Sequence, residues 1–374
     1  MAKIPVAILG ATGAVGQRLV SILFNHPWFE PVALCASERS AGKPYGQATR
    51  WILPDPMPVR AAAMRVRGCA PFPDPAIVFS ALDAEAAMDI EEDWAKRGRL
   101  VVSNARCHRM RDDVPLVVPE LNADHLRLAL RQPYPDGGAI VTNPNCSTIG
   151  LVLALKPLDD AFGLESVNVV TLQAASGAGY PGVPFMDLID NALPYIHGEE
   201  EKLEAEPLKI LGRLSADGSR VENASFGVSA ACHRVAVTDG HLEAVSVAFK
   251  RPADKSAIMR AWLDAPVDTD GLDLPSAPKH PVVYADGLDR PQPRFDKAAG
   301  NGMSATMGRL RPCPILGWKF ELLSHNTIRG AAGGTVLLAE LCVAKGLVRG
   351  FSPAGIAERA PCGEPRREPE PALA

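Results

Sequence analysis

Val6-Ala7-Ile8-Leu9-Gly10-Ala11-Thr12-Gly13-Ala14-Val15-Gly16-Gln17 is the stretch on which the fold turns. An apolar strand runs into three glycines, then into a helical pattern in which Val15, Leu19, Ile22 and Leu23 share one face. Backbone amides at such a helix N-terminus hold a pyrophosphate, and glycine lets phosphates approach with no Cβ in the way. The spacing is G-x-x-G-x-x-G rather than G-x-G-x-x-G, so a tight turn without ligand is the alternative. A strand before and a helix after favour the dinucleotide. The second strand ends near Cys35 and is followed by Ala36-Ser37-Glu38-Arg39-Ser40. Ser37, Arg39 and Ser40 suit a ribose 2′-phosphate, while Glu38 argues for free ribose hydroxyls unless it points outward, so NADP is expected. Arg39 alone also reads as a solvated surface charge.

Strand-like runs continue outward from this loop at residues 31–35, 77–82, 100–103, 116–118 and 139–142. Several are apolar on successive residues, as in strands buried on both faces of a parallel sheet. Helical patterns at 15–24 and 85–96 lie between them, so residues 1–145 read as a doubly wound, Rossmann-type α/β unit. After Cys146 the rhythm changes. A helix at 149–161 precedes longer strands at 167–174, 228–237, 242–249 and 314–323, with helices at 185–193 and 199–211. Residues 146–325 therefore read as an α+β domain on a mostly antiparallel sheet. The Pro- and Gly-rich stretch 286–311 reads as one ordered crossing or subunit-contact loop. A last helix, 326–346 within a segment 326–350 that completes the first domain, contains Gly330–Gly334 and so calls for close packing against a cofactor or sheet. The tail 352–374 is rich in Pro and charge and is expected to be disordered.

Composition narrows the classes. At 374 residues there is room for two domains, and 39 basic against 43 acidic residues give no electrostatic reason to expect nucleic acid or a membrane surface. Hydrophobic residues at 47 % and charged ones at 22 % exclude a chain disordered throughout. No apolar run reaches the roughly 18 residues of a membrane span, and no secretory signal is expected. The eight cysteines are scattered without a C-x-x-C pair, which reads as reduced thiols in a cytoplasmic protein with neither a disulfide framework nor a zinc site. No metal is expected.

The chemistry-bearing residues lie further on. Asn143-Pro144-Asn145-Cys146-Ser147-Thr148 falls between a strand and a helix, where the helix dipole lowers a thiol's pKa and makes a nucleophile. A buried structural cysteine is the competing reading. Arg234 and His241 bracket a strand and a turn. His241 suits acid/base work near neutral pH and Arg234 suits bidentate capture of a carboxylate, though each alone also reads as an ordinary satisfied residue. Gln173-Ala174-Ala175-Ser176-Gly177-Ala178-Gly179 ends a strand in a loop open to a ligand. Glu199 and Lys202 share a helix face, which is also how a solvated charge cluster looks.

Taken together, GATGAVGQ from Gly10, FSAL from Phe79, SNARCHRM from Ser103, VPEL from Val118, NPNCST from Asn143, QAASGAGYPG from Gln173, GEEEKLEAE from Gly198, HRVAVTDGH from His233, RPQPRFDKAAGNGM from Arg290 and HNTIRGAAG from His325 resemble the aspartate-semialdehyde dehydrogenase family. The resemblance runs from Val6 to about Gly346 and is nearest to the branch shared by archaeal and fungal enzymes and some bacteria. It implies NADPH-dependent reductive dephosphorylation of L-aspartyl 4-phosphate in a cytoplasmic homodimer or homotetramer, with 146–325 as catalytic and dimerisation domain. It implies Cys146 as nucleophile, Gln173 as its orienting residue and His241 as acid/base. Arg234 would bind the substrate carboxylate, Glu199 would face its amino group, and Arg109, Asn145 and Lys202 would form the phosphate site. Gly10, Thr12, Gly13, Val15, Gly16, Ser37, Arg39, Ser40, Ser176, Gly177 and Asn326 would contact the cofactor. A same-fold acyl-CoA (malonyl-CoA type) reductase and a catalytically silent NADP-binding regulator are the alternatives. Arg109 with Lys202 favours the phosphate substrate, because reduction of a CoA thioester needs no phosphate leaving-group site.

Overall fold

Residues 3–351 are described by a computed structural model. The first half is built from β1 (Ile4–Leu9), α1 (Ala14–Leu23), β2 (Phe29–Cys35), the single-turn helices α2 (Tyr45–Ala48) and α3 (Val59–Ala63), β3 (Ile77–Ser80), α4 (Ala84–Lys96), β4 (Leu100–Ser103) and β5 (Ala139–Thr142). Its five strands form an all-parallel sheet in the order β2-β1-β3-β4-β5, so the strand order reverses at β1 and the glycine loop leaves the sheet at that switch point. Residues 116–118 make no sixth strand. They are buried, but Pro115 and Pro119 flank them and they reach β5 only through a bridge between Leu116 and Thr142.

The second half comprises α5 (Cys146–Phe162), β6 (Leu164–Ala174), α6 (Phe185–Leu188), β7 (Ala192–Leu193), α7 (Glu199–Ile210), the small hairpin β8 (Arg213–Leu214) and β9 (Val221–Glu222), β10 (Gly227–Val235), β11 (His241–Phe249), α8 (Lys255–Asp264), β12 (Val282–Ala285), α9 (Pro293–Asp296), β13 (Ala305–Cys313) and β14 (Gly317–Ser324). Seven of these strands form one mixed, mostly antiparallel sheet, β12-β13-β14-β11-β6-β10-β7, with β6·β10 and β12·β13 parallel. The buried faces of β6, β11 and β14 pack on α5, placing one apolar core between helix and sheet.

Three expected boundaries move. The stretch 286–311 is not all loop, because β13 begins at Ala305. Its pattern is hidden by Gly308, Arg309 and Pro312 at a register shift. A Cβ on Gly308 would stand 2.5 Å from Arg290 O, so glycine lets the RPQP segment lie on the strand. The helix expected at 185–193 stops at Leu188, and Asp190 turns the chain at φ 54 before β7. The final helix opens with a π-helical turn, Ile328–Ala332, and becomes regular only in α10 (Gly333–Ala344), which packs into the core of the first sheet. Glycine is required at the turn for a local reason: a Cβ on Gly330 would stand 2.7 Å from Cys146 Cβ. The tail 352–374 lies outside the described residues.

Candidate active site

Cys146 is the first residue of α5, and Asn145 caps that helix, its side chain accepting from Ser147 N at 3.0 Å and Thr148 N at 3.4 Å. Asn145 Nδ2 donates to Glu199 Oε2 at 3.0 Å. Glu199 also accepts from Gln173 Nε2 at 3.2 Å and pairs with Lys202 one turn further along α7. Burial pushes the Glu199 carboxyl up, but Lys202, Asn145 and Gln173 outweigh it and hold it below its ordinary range.

His241 begins β11. Its Nε2 lies 3.3 Å from Cys146 Sγ, and its Nδ1 accepts from Ala174 N at 3.0 Å. A backbone amide only donates, so Nδ1 presents its lone pair and the neutral ring carries its proton on Nε2, facing the sulfur. Burial, with Arg234 adding, lowers His241 to about 3, so the ring is neutral across the physiological range. Arg234 pairs in register with Gln173 across β10 and β6 and donates to Ala174 O at 2.8 Å. Gly177 lies over both side chains; a Cβ there would stand 2.6 Å from Arg234 Nη1 and 3.1 Å from His241 Cε1.

The thiol departs from expectation. Cys146 sits at a helix N-terminus, yet burial, with Glu199 adding, pushes it up to about 12, against opposition from Arg109, Arg234 and Lys202. Desolvation of the anion outweighs the helix end and the three cations.

Arg109 reaches the same cluster. Its Nη1 donates to Glu206 Oε1 at 2.8 Å and its Nη2 to Asn104 O at 2.7 Å, while Glu206 Oε2 accepts from Asn145 N at 2.7 Å. Glu206 therefore clamps the arginine to the cap of the cysteine helix. It was not singled out in the sequence, although Glu199, Lys202 and Glu206 follow helical spacing on one face of α7, and such a stripe on a packed helix is a detectable signal.

The glycine loop fits a dinucleotide. Missing Cβ atoms let Ala81 O lie against Gly10 and Gly10 O against Gly16, whereas a Cβ on Gly13 would meet nothing nearer than 3.4 Å. Gly13 is the N-cap of α1 and supplies no side-chain acceptor, so the first-turn amides are free for an anionic ligand. Thr12 and Val15 flank it, partly exposed, and Ser37–Ser40 form an exposed turn at the end of the neighbouring strand β2. Asn326 donates to Ser176 Oγ at 2.8 Å and accepts from Gly240 N at 2.9 Å, joining the segments on either side of His241. A cavity of about 770 Å³ runs from Ala14 and Arg18 at the glycine loop to Ser176, Tyr180, Thr238 and Asp239, within the size range of cofactor sites. The nineteen expected residues thus fall into a cluster around Cys146, a group about Ser176 and Asn326, and the ends of β1 and β2.

Residues 5–129 match the family description "Semialdehyde dehydrogenase, NAD binding domain", and residues 155–329 match "Semialdehyde dehydrogenase, dimerisation domain". An aspartate-semialdehyde dehydrogenase of Archaeoglobus fulgidus is 47 % identical over 92 % of this chain and 99 % of its own length. One from Schizosaccharomyces pombe is 46 % identical over 93 % of this chain and 100 % of its own. The crystal structure of aspartate semialdehyde dehydrogenase with NADP from Candida albicans superposes with a TM-score of 0.86 at 41 % identity, covering 93 % of this chain and all of that one. No helix among the described residues is long and apolar enough to cross a membrane.

Proposed function

This chain belongs to the aspartate-semialdehyde dehydrogenase family, and from that premise we propose that it carries out NADPH-dependent reductive dephosphorylation of L-aspartyl 4-phosphate. The products are L-aspartate 4-semialdehyde and phosphate, on the route to lysine, threonine and methionine. The observation that carries the reading is the 3.3 Å approach of His241 Nε2 to Cys146 Sγ inside a cluster of Arg109, Arg234, Lys202 and Glu199.

Cys146 attacks the acyl carbonyl while Gln173 and Asn145 hold the surroundings of the sulfur. The C–O bond to phosphate breaks as the C–S bond forms, and the thiol proton leaves with the product as hydrogen phosphate. Arg109 and Lys202 stabilise the charge of that leaving group. Arg234 holds the substrate α-carboxylate by a forked pair and Glu199 receives its ammonium. Gly10, Thr12, Gly13, Val15 and Gly16, with Ser37, Arg39 and Ser40, would hold NADPH, which would supply the hydride equivalent needed to reduce the thioester to the aldehyde. Ser176, Gly177 and Asn326 position the nicotinamide end. The Nε2–H of His241 stands beside the sulfur, where it hydrogen-bonds the oxygen that gains charge and then the departing thiolate, and one proton taken up from solvent restores the resting thiol. The enzyme works in the cytoplasm as a homodimer or homotetramer.

The test is the reverse reaction with purified chain: oxidation of aspartate semialdehyde assayed with and without inorganic phosphate, using NADP⁺ and NAD⁺ in turn. Strict phosphate dependence with NADP⁺ preferred is expected. Phosphate-independent reduction of malonyl-CoA would transfer the site to the acyl-CoA class, and cofactor binding without turnover would make the chain a silent regulator.

A further inference from the structure

We propose that Glu91, Cys107 and His108 form a binding site for one divalent cation of the zinc type. Three elements bring them together: α4 carries Glu91 inward, Ser103 at the end of β4 holds it by donating to Oε1 at 2.8 Å, and the 3₁₀ turn Arg106–His108 brings the imidazole to Oε2 and the thiol near the same carboxylate. The ligand atoms all lie within 4.8 Å of one another, and His108 Nε2 is 3.4 Å from Glu91 Oε2. Both side chains are essentially without solvent exposure, at 0 % for Glu91 and 1 % for His108, yet Oε2 and Nε2 have no hydrogen-bond partner. A buried polar atom left unpaired loses its solvation without compensation, so two such atoms facing each other call for an occupant.

Geometry and donor chemistry agree on what it is. Zinc bonds of about 2.0–2.3 Å at tetrahedral angles put ligand atoms roughly 3.3–3.8 Å apart. The nitrogen and oxygen already stand at that spacing, and a movement of about 1 Å by the cysteine side chain brings in the sulfur. Thiol, imidazole and carboxylate together suit zinc or cobalt, whereas calcium and magnesium take oxygen donors. Cys107 is only half-buried, which leaves an entry path and a fourth position for water. Ser103 supplies the outer-shell contact that fixes a ligating carboxylate. Arg109 follows His108 in the chain, but its charge is met by Glu206. Residue spacing hides the site, because Glu91 comes from a different element than the Cys107-His108 pair. The plain rival is a proton shared between Glu91 and His108.

Cobalt(II) titration tests this with the full chain carrying Cys146→Ser, so that the active-site sulfur cannot bind metal. One Co²⁺ per chain and a sulfur-to-cobalt charge-transfer band are expected. Adding Cys107→Ala should abolish the band and weaken binding at least tenfold with an unchanged circular dichroism spectrum. Cys107→Ser is the substitute if the alanine variant does not fold, with the same loss expected. No band in the Cys146→Ser chain, or a band that survives removal of the Cys107 thiol, overturns the proposal and leaves the proton as the occupant.

Discussion

The backbone amide of Ala174 donates to Nδ1 of His241 at 3.0 Å, so the end of β6 sets which ring nitrogen faces Cys146. With the ring lowered to about 3 by burial and Arg234, His241 contributes no break near its ordinary 6.5 to the pH profile of kcat. The linkage to stability has a definite sign. An unfolded chain protonates this histidine below about pH 6.5 and the folded one does not, so stability present above that pH falls as the medium is acidified toward pH 3, by up to about 1.4 kcal/mol per pH unit. Urea unfolding of wild type and His241→Gln at about pH 7 and pH 5 measures it, and equal losses in the two proteins would exclude the histidine as the cause. His241→Ala should lower kcat by ~10²–10⁴.

A thiol held up to about 12 by burial and Glu199 reacts slowly at neutral pH when no ligand is bound. Alkylation of Cys146 by iodoacetamide should climb about tenfold per pH unit through the alkaline range. A plateau near neutrality would mean that the three neighbouring cations and the helix end win instead. Cys146→Ala should abolish turnover and leave NADPH binding intact, measured by fluorescence titration, because Cys146 does not line the cavity along the glycine loop.

Glu206 joins Arg109 to Asn145, which makes it a positioning residue whose loss is felt in two measurements. Glu206→Ala leaves a buried guanidinium without its carboxylate and should cost about 3–5 kcal/mol in denaturant unfolding. Glu206→Gln keeps one acceptor and folds. It should raise KM for phosphate in the oxidative direction by about tenfold, equivalent to about 1.4 kcal/mol, with KM for NADP⁺ unchanged. A uniform fall in kcat with both KM values intact would assign Glu206 to stability alone.

Much of this fold and site is legible in the sequence. The glycine loop, the parallel strands and the long alternating strands β6, β10 and β11 announce themselves because local pattern and tertiary environment agree. Cys146, His241 and Arg234 stand out because Cys146 opens a helix, His241 opens a strand and Arg234 lies next to the end of one. What escaped depends on contacts between distant segments. β13 is broken by Gly308 and Arg309 where another segment crosses it, and Glu206 acquires meaning only through Arg109. The raised thiol likewise follows from how both halves crowd around the partly buried sulfur, which no spacing along the chain reports.

Gly330 is the last such contact, and it carries its own prediction. The π-helical turn Ile328–Ala332 presses Gly330 against Cys146, and the neighbouring Arg329 is clamped by both oxygens of Glu120 at 2.6 Å with neither side chain exposed. Gly330→Ala would put a methyl group 2.7 Å from Cys146 Cβ and 2.8 Å from its Cα, with backbone on one side that cannot yield. Overpacking of this kind costs about 1–3 kcal/mol, and the displaced residue is the proposed nucleophile, so kcat should fall by more than tenfold in protein that is still folded at the assay temperature. Glu120→Ala reports on the same turn from the other side. It strands a buried guanidinium, should destabilise by about 3–5 kcal/mol in urea, and should lower the transition temperature well before it affects KM for NADP⁺. Wild-type kcat in Gly330→Ala would show that the turn gives way instead of the cysteine, and would remove Gly330 from any part in placing the sulfur.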